Sequence, residues 1–223
     1  MPNWTGNELT ILGPIEEINR FEADRLAALK ANDCDMEQFI TFHMVLPMPQ
    51  ELKGTQGGPR PMREAEIRQM AAQHNWSEES LQYALEKQMT DELEAKLDEL
   101  KAKYGSDNWY DWCCTNWGTK WDACHAGYDR IAYELPGFSS DPARDRIRIT
   151  FDTAWAAPEP VIHALVRKYP NLNFVHSYSY EGEENTDFTV DYRLNEGVLE
   201  AMVSISTDMT EYEPWEDVSH MLA

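Results

Sequence analysis

Residues 109–122 contain the densest group of side chains that could bind a ligand, because half of the chain's eight tryptophans lie between Trp109 and Trp121. Indole rings stack on ligands and dominate many protein interfaces, and a lysine over an indole adds a cation–π contact. Turn-forming residues separate the rings, so we predict an irregular loop rather than a helix or a strand. The candidate binding residues are Trp109, Trp112, Asn116, Trp117, Gly118, Thr119, Lys120, Trp121 and Asp122.

Three interpretations of this Trp segment stay open. The rings could be packing anchors for a long crossover, since each buries on the order of 150–250 Å². They could form a recognition surface for a protein. They could also stack on the bases of a single-stranded nucleic acid, but that role needs a basic groove.

A recognisable catalytic set is missing from the sequence. No nucleophile elbow and no zinc-protease or deaminase motif occurs, and the six histidines follow no repeated spacing. We therefore predict no catalytic residue and no cofactor. The alternative is an enzyme or a small-molecule or nucleotide binder, whose pocket would be walled by Trp109, Trp112, Trp117 and Trp121.

The four cysteines, Cys34, Cys113, Cys114 and Cys124, are predicted to be free thiols. His125 follows Cys124, so the spacing of these residues could be compared with that of a metal site. It lacks the C-x2-C pairs of ordinary zinc sites, and no metal site is predicted.

Negative charge is the second strong signal, with 40 acidic residues against 19 basic ones and a net charge of −21. Residues 181–223 contain twelve of the acids and one base. Such a surface repels nucleic acid and anionic membranes and attracts basic proteins, although it could also serve only solubility. The predicted acidic surface comprises Glu181, Glu183, Glu184, Asp187, Asp191, Glu211, Glu213, Glu216 and Asp217.

The chain also lacks the features of secretion and membrane insertion. Residues 1–6 contain neither a basic region nor an apolar core, and no run of 18 apolar residues occurs. We therefore expect the protein to act in the cytoplasm of the host cell, without contact with a membrane.

Hydrophobic periodicity predicts alternating strands and helices. The predicted elements are a strand at 8–12, a helix from Pro14, a buried strand at 39–45, a loop at 47–62, a helix at 64–74, one long helix over 78–104 that Gly105 ends, a strand at 146–151, a helix at 158–169, a strand at 173–180, and a hairpin of strands at 188–194 and 199–205 with a three-residue loop, 195–197.

This order predicts an α+β fold, a ferredoxin-like antiparallel sheet backed by helices, with a helical insertion. We expect one domain overall. Its predicted parts are a first β-α-β half (1–46), a loop (47–62), the helical insertion (63–105), a Trp-rich crossover (106–128), a second half with β-α-β and hairpin (129–206) and an acidic tail (207–223).

Four motifs carry a resemblance to a known family. They are Pro2-Asn3-Trp4-x-x-Asn7-x-Leu9-x-Ile11-x-Gly13, Pro47-Met48-Pro49 with Glu51-Leu52 and Gly54-Thr55, Asn116-Trp117-Gly118-Thr119-Lys120-Trp121-Asp122, and Phe151-x-Thr153-Ala154-Trp155-x-x-Pro158-x-Pro160. In this order the chain resembles, over residues 2–206, the ferredoxin-like family typified by the plasmid protein YubB. The resemblance implies the fold and a genetic context in phages and plasmids, without implying a reaction.

Two positions depart from the family pattern. Thr5 stands where relatives often have cysteine, and Cys113 and Cys114 stand where they often have a basic residue. A thiol or arginine role of relatives is therefore not carried over to this chain.

These observations favour a non-enzymatic accessory protein of a mobile genetic element that binds a host protein with a basic surface. A narrower hypothesis is an acidic DNA mimic that inhibits a defence system such as CRISPR or restriction. Direct binding of nucleic acid is not expected, and the sequence does not define the oligomeric state.

Overall fold

The structure, a computed structural model, describes residues 3–131, 144–182 and 186–207. The chain divides into two compact units. We call Met1–Pro47 with Cys113–Ala223 the sheet unit, and Met48–Trp112 the helical unit. The expectation of one domain overall stays a prediction.

The sheet unit contains a six-stranded, fully antiparallel sheet, which confirms the predicted α+β, ferredoxin-like fold class. Its strand order is β2-β3-β1-β4-β5-β6. The strands are β1 (Trp4–Pro14), β2 (Cys124–Ile131), β3 (Arg144–Ala154), β4 (Asn173–Tyr180), β5 (Thr186–Asn195) and β6 (Val198–Thr207).

Two helices of the sheet unit, α1 (Ile15–Ala31) and α6 (Glu159–Lys168), pack on one face of this sheet. Helix α1 buries Ile18, Phe21 and Leu29, which recur at helical spacing, and β1 buries Leu9 and Ile11. Burying a side chain of this size contributes about 1.5–3 kcal/mol, so this apolar layer is the core of the sheet unit.

The predicted strand at 39–45 is wrong. Two 3₁₀ turns, Met36–Gln38 and Phe42–Met44, occupy this region, and Phe39 has a positive φ of 53°. Ile40 and Phe42 are buried, so their hydrophobicity indicates burial rather than an extended backbone. The predicted first half, 1–46, therefore holds one strand and one helix, and the second strand of the ferredoxin-like pattern is β2, which follows the helical unit.

The helical unit contains α2 (Glu64–His74), which confirms the prediction for that segment. The single long helix over 78–104 is wrong, because α3 (Glu78–Glu86) and α4 (Asp91–Tyr104) are separate. The N–H of Met89 leaves the helical pattern to bind the carbonyl oxygen of Met62, and Thr90 caps α4. Gly105, at φ 77°, ends α4 as predicted. The loop at 47–62 also includes a 3₁₀ turn, Gln50–Leu52.

The Trp segment is not wholly irregular, because α5 (Trp109–Asn116) is a helix. Its start has a reciprocal cap: the N–H of Asp111 donates to Asn108 Oδ1 at 2.9 Å, and Asn108 Nδ2 donates to the Asp111 carboxylate at 2.8 Å. The prediction of a loop was wrong for residues 109–116, because it rested on the aromatic and turn-forming residues and did not use the capping pair Asn108 and Asp111.

The second half follows the prediction closely, with β3, α6, β4, β5 and β6 in the expected order. The hairpin loop contains two residues, Glu196 and Gly197, rather than three, and both have positive φ, as tight hairpin turns require. Residues 208–223, which hold most of the predicted acidic tail, lie outside the described residues. None of the helices in the described part of the chain combines the length and hydrophobicity that a membrane crossing needs.

Candidate binding surface

The predicted Trp segment is shared between the two units, so each part is described by itself. Trp109 and Trp112 belong to the helical unit, and residues 113–122 belong to the sheet unit. Within the helical unit, the N–H of Trp109 donates to Thr55 Oγ1 at 3.0 Å, and its ring meets Tyr110 edge-on. Trp112 is buried. These two rings are positioned by packing.

Trp117 is an anchor inside the sheet unit. Its side chain is 3% exposed, and its indole N–H donates to the carbonyl oxygen of Leu46 at 2.8 Å. The rings of Phe42 and His43 lie edge-on to it at 5.7 and 5.1 Å. This ring packs against the turn at Phe42–Met44, which supports the packing interpretation for Trp117.

The next two residues connect the segment to the end of β3. Gly118 has φ 78°, and an added Cβ would lie 3.0 Å from Pro160 Cδ, so the turn needs glycine. Thr119 is buried, and its hydroxyl donates to the carbonyl oxygen of Ala154 at 2.7 Å. Asn116, half-buried, ends α5 just before this turn.

Asp122 closes the segment as a structural acceptor. Its carboxylate accepts hydrogen bonds from the Thr41 hydroxyl at 2.6 Å and from the N–H groups of Phe42 and Ala123, both at 2.8 Å. Burial raises the pKa of Asp122, while these three bonds favour its charged form. Asp122 therefore holds the 41–44 turn rather than pointing toward a ligand.

Lys120 lies between two indole rings. Its Nζ is 4.5 Å from the ring centroid of Trp121 and 5.1 Å from that of Trp155. Trp155 follows β3 and is 45% exposed, an unusual value for so large an apolar side chain. The Lys120 cation therefore contacts both rings, one of which is exposed.

Trp4 and His125 extend this arrangement. The Trp4 ring lies 6.1 Å from Trp121 and 5.2 Å from the imidazole of His125. His125 Nδ1 is 3.0 Å from an oxygen of Asp152, and the His125 side chain is 65% exposed. We call Trp4, Lys120, Trp121, His125 and Trp155 the aromatic patch.

Two members of the aromatic patch have a backbone conformation that is rare for large side chains. The φ of Trp155 is 76° and that of His125 is 48°. Such strain persists only where the surrounding structure enforces it, and it concentrates at functional sites. The N–H of Trp155 donates to the carbonyl oxygen of Asn3 at 2.9 Å, which fixes this conformation against the residue before β1.

The patch brings together three of the motifs that carried the family resemblance. Trp4 comes from the first motif, Lys120 and Trp121 from the third and Trp155 from the fourth. The candidate residues named from the sequence included Lys120 and Trp121 but missed Trp4, His125, Asp152 and Trp155. The motif membership of Trp4 and Trp155 was the sequence signal that could have found them.

Two of the cysteines, Cys113 and Cys124, are poorly suited to thiolate chemistry. Burial raises the pKa of Cys113 to about 12 and raises that of Cys124. All four cysteines are free thiols, as expected, and the described residues contain no cluster that could hold a metal ion.

The predicted acidic surface is described only in part. Glu181 and Asp187 are exposed, and Asp191 pairs with Arg193 at 3.0 Å. Glu181 also accepts the N–H of Trp4 at 2.7 Å, so it borders the aromatic patch. The remaining members, Glu183, Glu184, Glu211, Glu213, Glu216 and Asp217, lie outside the described residues.

The helical unit has a groove of its own with a volume of about 640 Å³. Met62, Ile67, Trp76 and Tyr83 provide much of its lining. Its size suits a small ligand, but its polar lining residues form no recognisable set of convergent groups.

Comparison with known proteins gives a family match for part of the chain. Residues 137–218 match the ferredoxin-like domain in Api92-like protein. The match includes β3, α6, β4, β5 and β6, a little over a third of the chain. The crystal structure of protein api92 from Yersinia pseudotuberculosis is similar at a TM-score of 0.39 and 10% identity, covering 86% of this chain and 95% of that one. No curated protein matches the chain.

Proposed function

We propose that this chain is a non-enzymatic accessory protein of a phage or plasmid, of the YubB type, that binds a host protein in the cytoplasm through the aromatic patch. The observation that carries the proposal is the exposed Trp155, held at positive φ with Lys120 between its ring and that of Trp121. The motif resemblance supports the genetic context.

A protein partner fits the composition of this surface. Tryptophan is enriched among the few residues that contribute most of the energy at interfaces. Lys120 contacts both the Trp121 and the Trp155 ring, which restricts their rotamers and lowers the side-chain entropy that would be lost when a partner binds. A preorganised aromatic surface of this kind favours binding over solubility as its role.

A basic partner fits the charge of the chain. The patch itself contains the cation Lys120, and the carboxylates of Asp152 and Glu181 border it. The net charge of −21 nevertheless creates a long-range field that accelerates the approach of a basic protein. Direct binding of nucleic acid fits less well, because Arg148 is paired with Asp129 and Glu8 instead of facing a phosphate.

The experiment is a quantitative pull-down from host lysate with the wild type, Trp155→Ala and Tyr83→Ala. Tyr83 is a matched control because it is an aromatic residue of the helical unit, 59% exposed. We expect one host protein to be captured by the wild type and Tyr83→Ala, and capture by Trp155→Ala to fall by about tenfold, as for a typical interface anchor. Equal capture by all three folded proteins would show that the patch is not the binding surface.

Mimicry of DNA by the acidic surface is the narrower form of the proposal. Its support is the concentration of negative charge in residues 181–223. It predicts that reversing Glu181, Glu183, Glu184 and Asp187 to Lys abolishes capture while the protein stays folded. It also predicts a basic, nucleic-acid-binding partner that high salt displaces. Capture that survives the reversal would leave the aromatic patch as the binding surface and exclude mimicry by these residues.

The alternative is an enzyme or a small-molecule or nucleotide binder. The His125–Asp152 pair beside the Trp4 ring favours it, because a carboxylate that orients a histidine is a common acid–base arrangement. Intrinsic fluorescence separates the alternatives: a ligand that stacks on Trp4, Trp121 or Trp155 would quench emission, and His125→Gln would abolish turnover. If the chain binds only a protein partner, we expect no quenching by small molecules and no turnover that His125→Gln could abolish.

A further inference from the structure

The two outer strands of the sheet are protected very differently. Strand β2 carries a bulge between Cys124 and Gly127 and the charged residues Asp129 and Arg130. Its Tyr128 ring is stacked on Phe39 from the 3₁₀-turn region. Bulges, charges and covering segments are the devices that stop a sheet edge from pairing with another chain.

The opposite edge, β6, has few of these devices. It is ten residues long and contains no proline and one charged residue, Glu200. Val198 and Ile205, near its two ends, are 63% and 56% exposed. Among the described residues, only β5 pairs with β6, so no described strand lies along its outer edge. A long apolar edge of this kind calls for a covering strand.

We propose that β6 pairs antiparallel with β6 of a second copy, which joins the two sheets across a two-fold axis at Met202. In this register Leu199 lies opposite Ile205 of the second copy, and Ala201 lies opposite Val203. Glu200 lies opposite Ser204, so no like charges face each other. Directly opposed apolar pairs of this kind stabilise sheets. A second copy is the favoured partner because the two-fold register pairs apolar residues with each other and places no like charges opposite.

The apolar pairs would extend the existing core. Leu199, Ala201 and Val203 lie opposite Leu194, Tyr192 and Val190 of β5. Tyr192 and Val190 are buried, and the ring of Tyr192 meets His163 of α6. The second copy would therefore bury the exposed Ile205 beside a layer that is already apolar.

Charge sets the salt dependence of this dimer. Each copy carries −21, so the copies repel each other over long distances, and salt screens this repulsion. Dimerisation should strengthen with salt, whereas the proposed binding of a basic partner should weaken. The two proposals can therefore fail independently.

The test is analytical ultracentrifugation of the full chain at low and high salt, on the order of 0.05 and 0.5 M. We expect a monomer–dimer equilibrium that shifts toward dimer at high salt. Met202→Glu places two carboxylates together on the axis and should weaken association by about tenfold or more, as should Ile205→Glu beside Leu199 of the second copy. Leu26→Glu on α1 is the matched control, because Leu26 is 36% exposed and the charge change is the same.

Retention of dimer by Leu26→Glu and its loss in both β6 variants would support the proposal. A wild type that stays monomeric at high salt would overturn it and indicate that the chain's own residues or another protein cover β6. A dimer that all three variants retain would also overturn it, because a different surface would then be the interface.

Discussion

The hydroxyl of Thr119 donates a 2.7 Å hydrogen bond to the backbone carbonyl of Ala154, the last residue of β3. The neighbours of these residues, Lys120 and Trp155, are the cation and the exposed ring of the aromatic patch. This buried hydrogen bond therefore joins two motifs that lie far apart in the sequence. The packing and recognition interpretations of the Trp segment are compatible, because the buried residues position the exposed ones.

We predict that Thr119→Val destabilises the protein by about 1–2 kcal/mol, because the shape is kept while the Ala154 carbonyl loses its donor. Denaturant unfolding measures this change. Thr115→Val, at an exposed position in α5, is the control and should change stability by less than about 0.5 kcal/mol. Equal effects of the two variants would mean that the hydrogen bond does not contribute.

We predict that Gly118→Ala costs more stability than Gly197→Ala. Both glycines have positive φ, 78° and 84°, so each alanine suffers about 1 kcal/mol or more of backbone strain. At Gly118 the new Cβ also meets Pro160, whereas nothing lies within 4 Å at Gly197. An additional cost of about 1–3 kcal/mol is expected for Gly118→Ala in thermal or denaturant unfolding. Indistinguishable losses would contradict the close approach of Pro160.

We predict that Trp117→Phe destabilises the fold by about 2–4 kcal/mol, because it removes buried area and leaves the Leu46 carbonyl without its indole donor. Trp155→Phe should change stability little, since Trp155 is 45% exposed, yet it should weaken partner capture. Loss of stability in Trp117→Phe and loss of binding in Trp155→Phe would identify Trp117 as a structural anchor and Trp155 as a contact residue. A stability loss at Trp155 as large as that at Trp117 would contradict the assignment.

Local signals in the sequence predicted several elements well. Ser77 caps α3, and Gly105 ends α4 in the left-handed conformation. Strand β4 has the predicted bounds, 173–180, and turns lie on both sides of it. Helix caps, helix ends and strand bounds of this kind depend on residues that are close together in the sequence. They can therefore be predicted from the sequence.

Other elements depend on distant partners that periodicity does not reveal. The leucine spacing continues through Met89, but the N–H of Met89 binds Met62 and so divides the predicted helix. Ile40 and Phe42 are buried, but Ile40 lies between the two 3₁₀ turns and Phe42 within the second, rather than in a strand. The Asp122 carboxylate, 80 residues from Phe42 in the sequence, accepts the N–H of Phe42 and stabilises its turn. The edge strand β2 lacks an alternating apolar pattern and was missed. The patch was found only in part for the same reason, since the Trp4–Trp121 ring contact and the contact of Lys120 with Trp155 join residues that are far apart in the sequence.

Asn7 of β1 and His176 of β4 belong to a buried network of hydrogen bonds. Asn7 Nδ2 donates to the carbonyl oxygens of Thr5 and Phe151 and to Thr153 Oγ1. The remaining atom of the amide, Oδ1, lies 3.0 Å from His176 Nε2 and must accept, so His176 donates from Nε2. Its Nδ1 is then an unprotonated acceptor, buried without a hydrogen-bond partner.

We predict that His176 makes folding sensitive to mild acid. Burial lowers the pKa of His176 to about 3 from its ordinary 6.5. Because the folded protein disfavours the charged imidazole, the stability from this residue is fully present above pH 6.5 and is lost as the pH falls toward 3, by at most about 1.4 kcal/mol per pH unit. His176→Gln keeps a donor toward Asn7 Oδ1 but does not titrate. Urea unfolding between pH 7 and pH 4.5 should therefore show a steeper loss of stability for the wild type than for His176→Gln, and parallel curves would show that the imidazole is not held neutral.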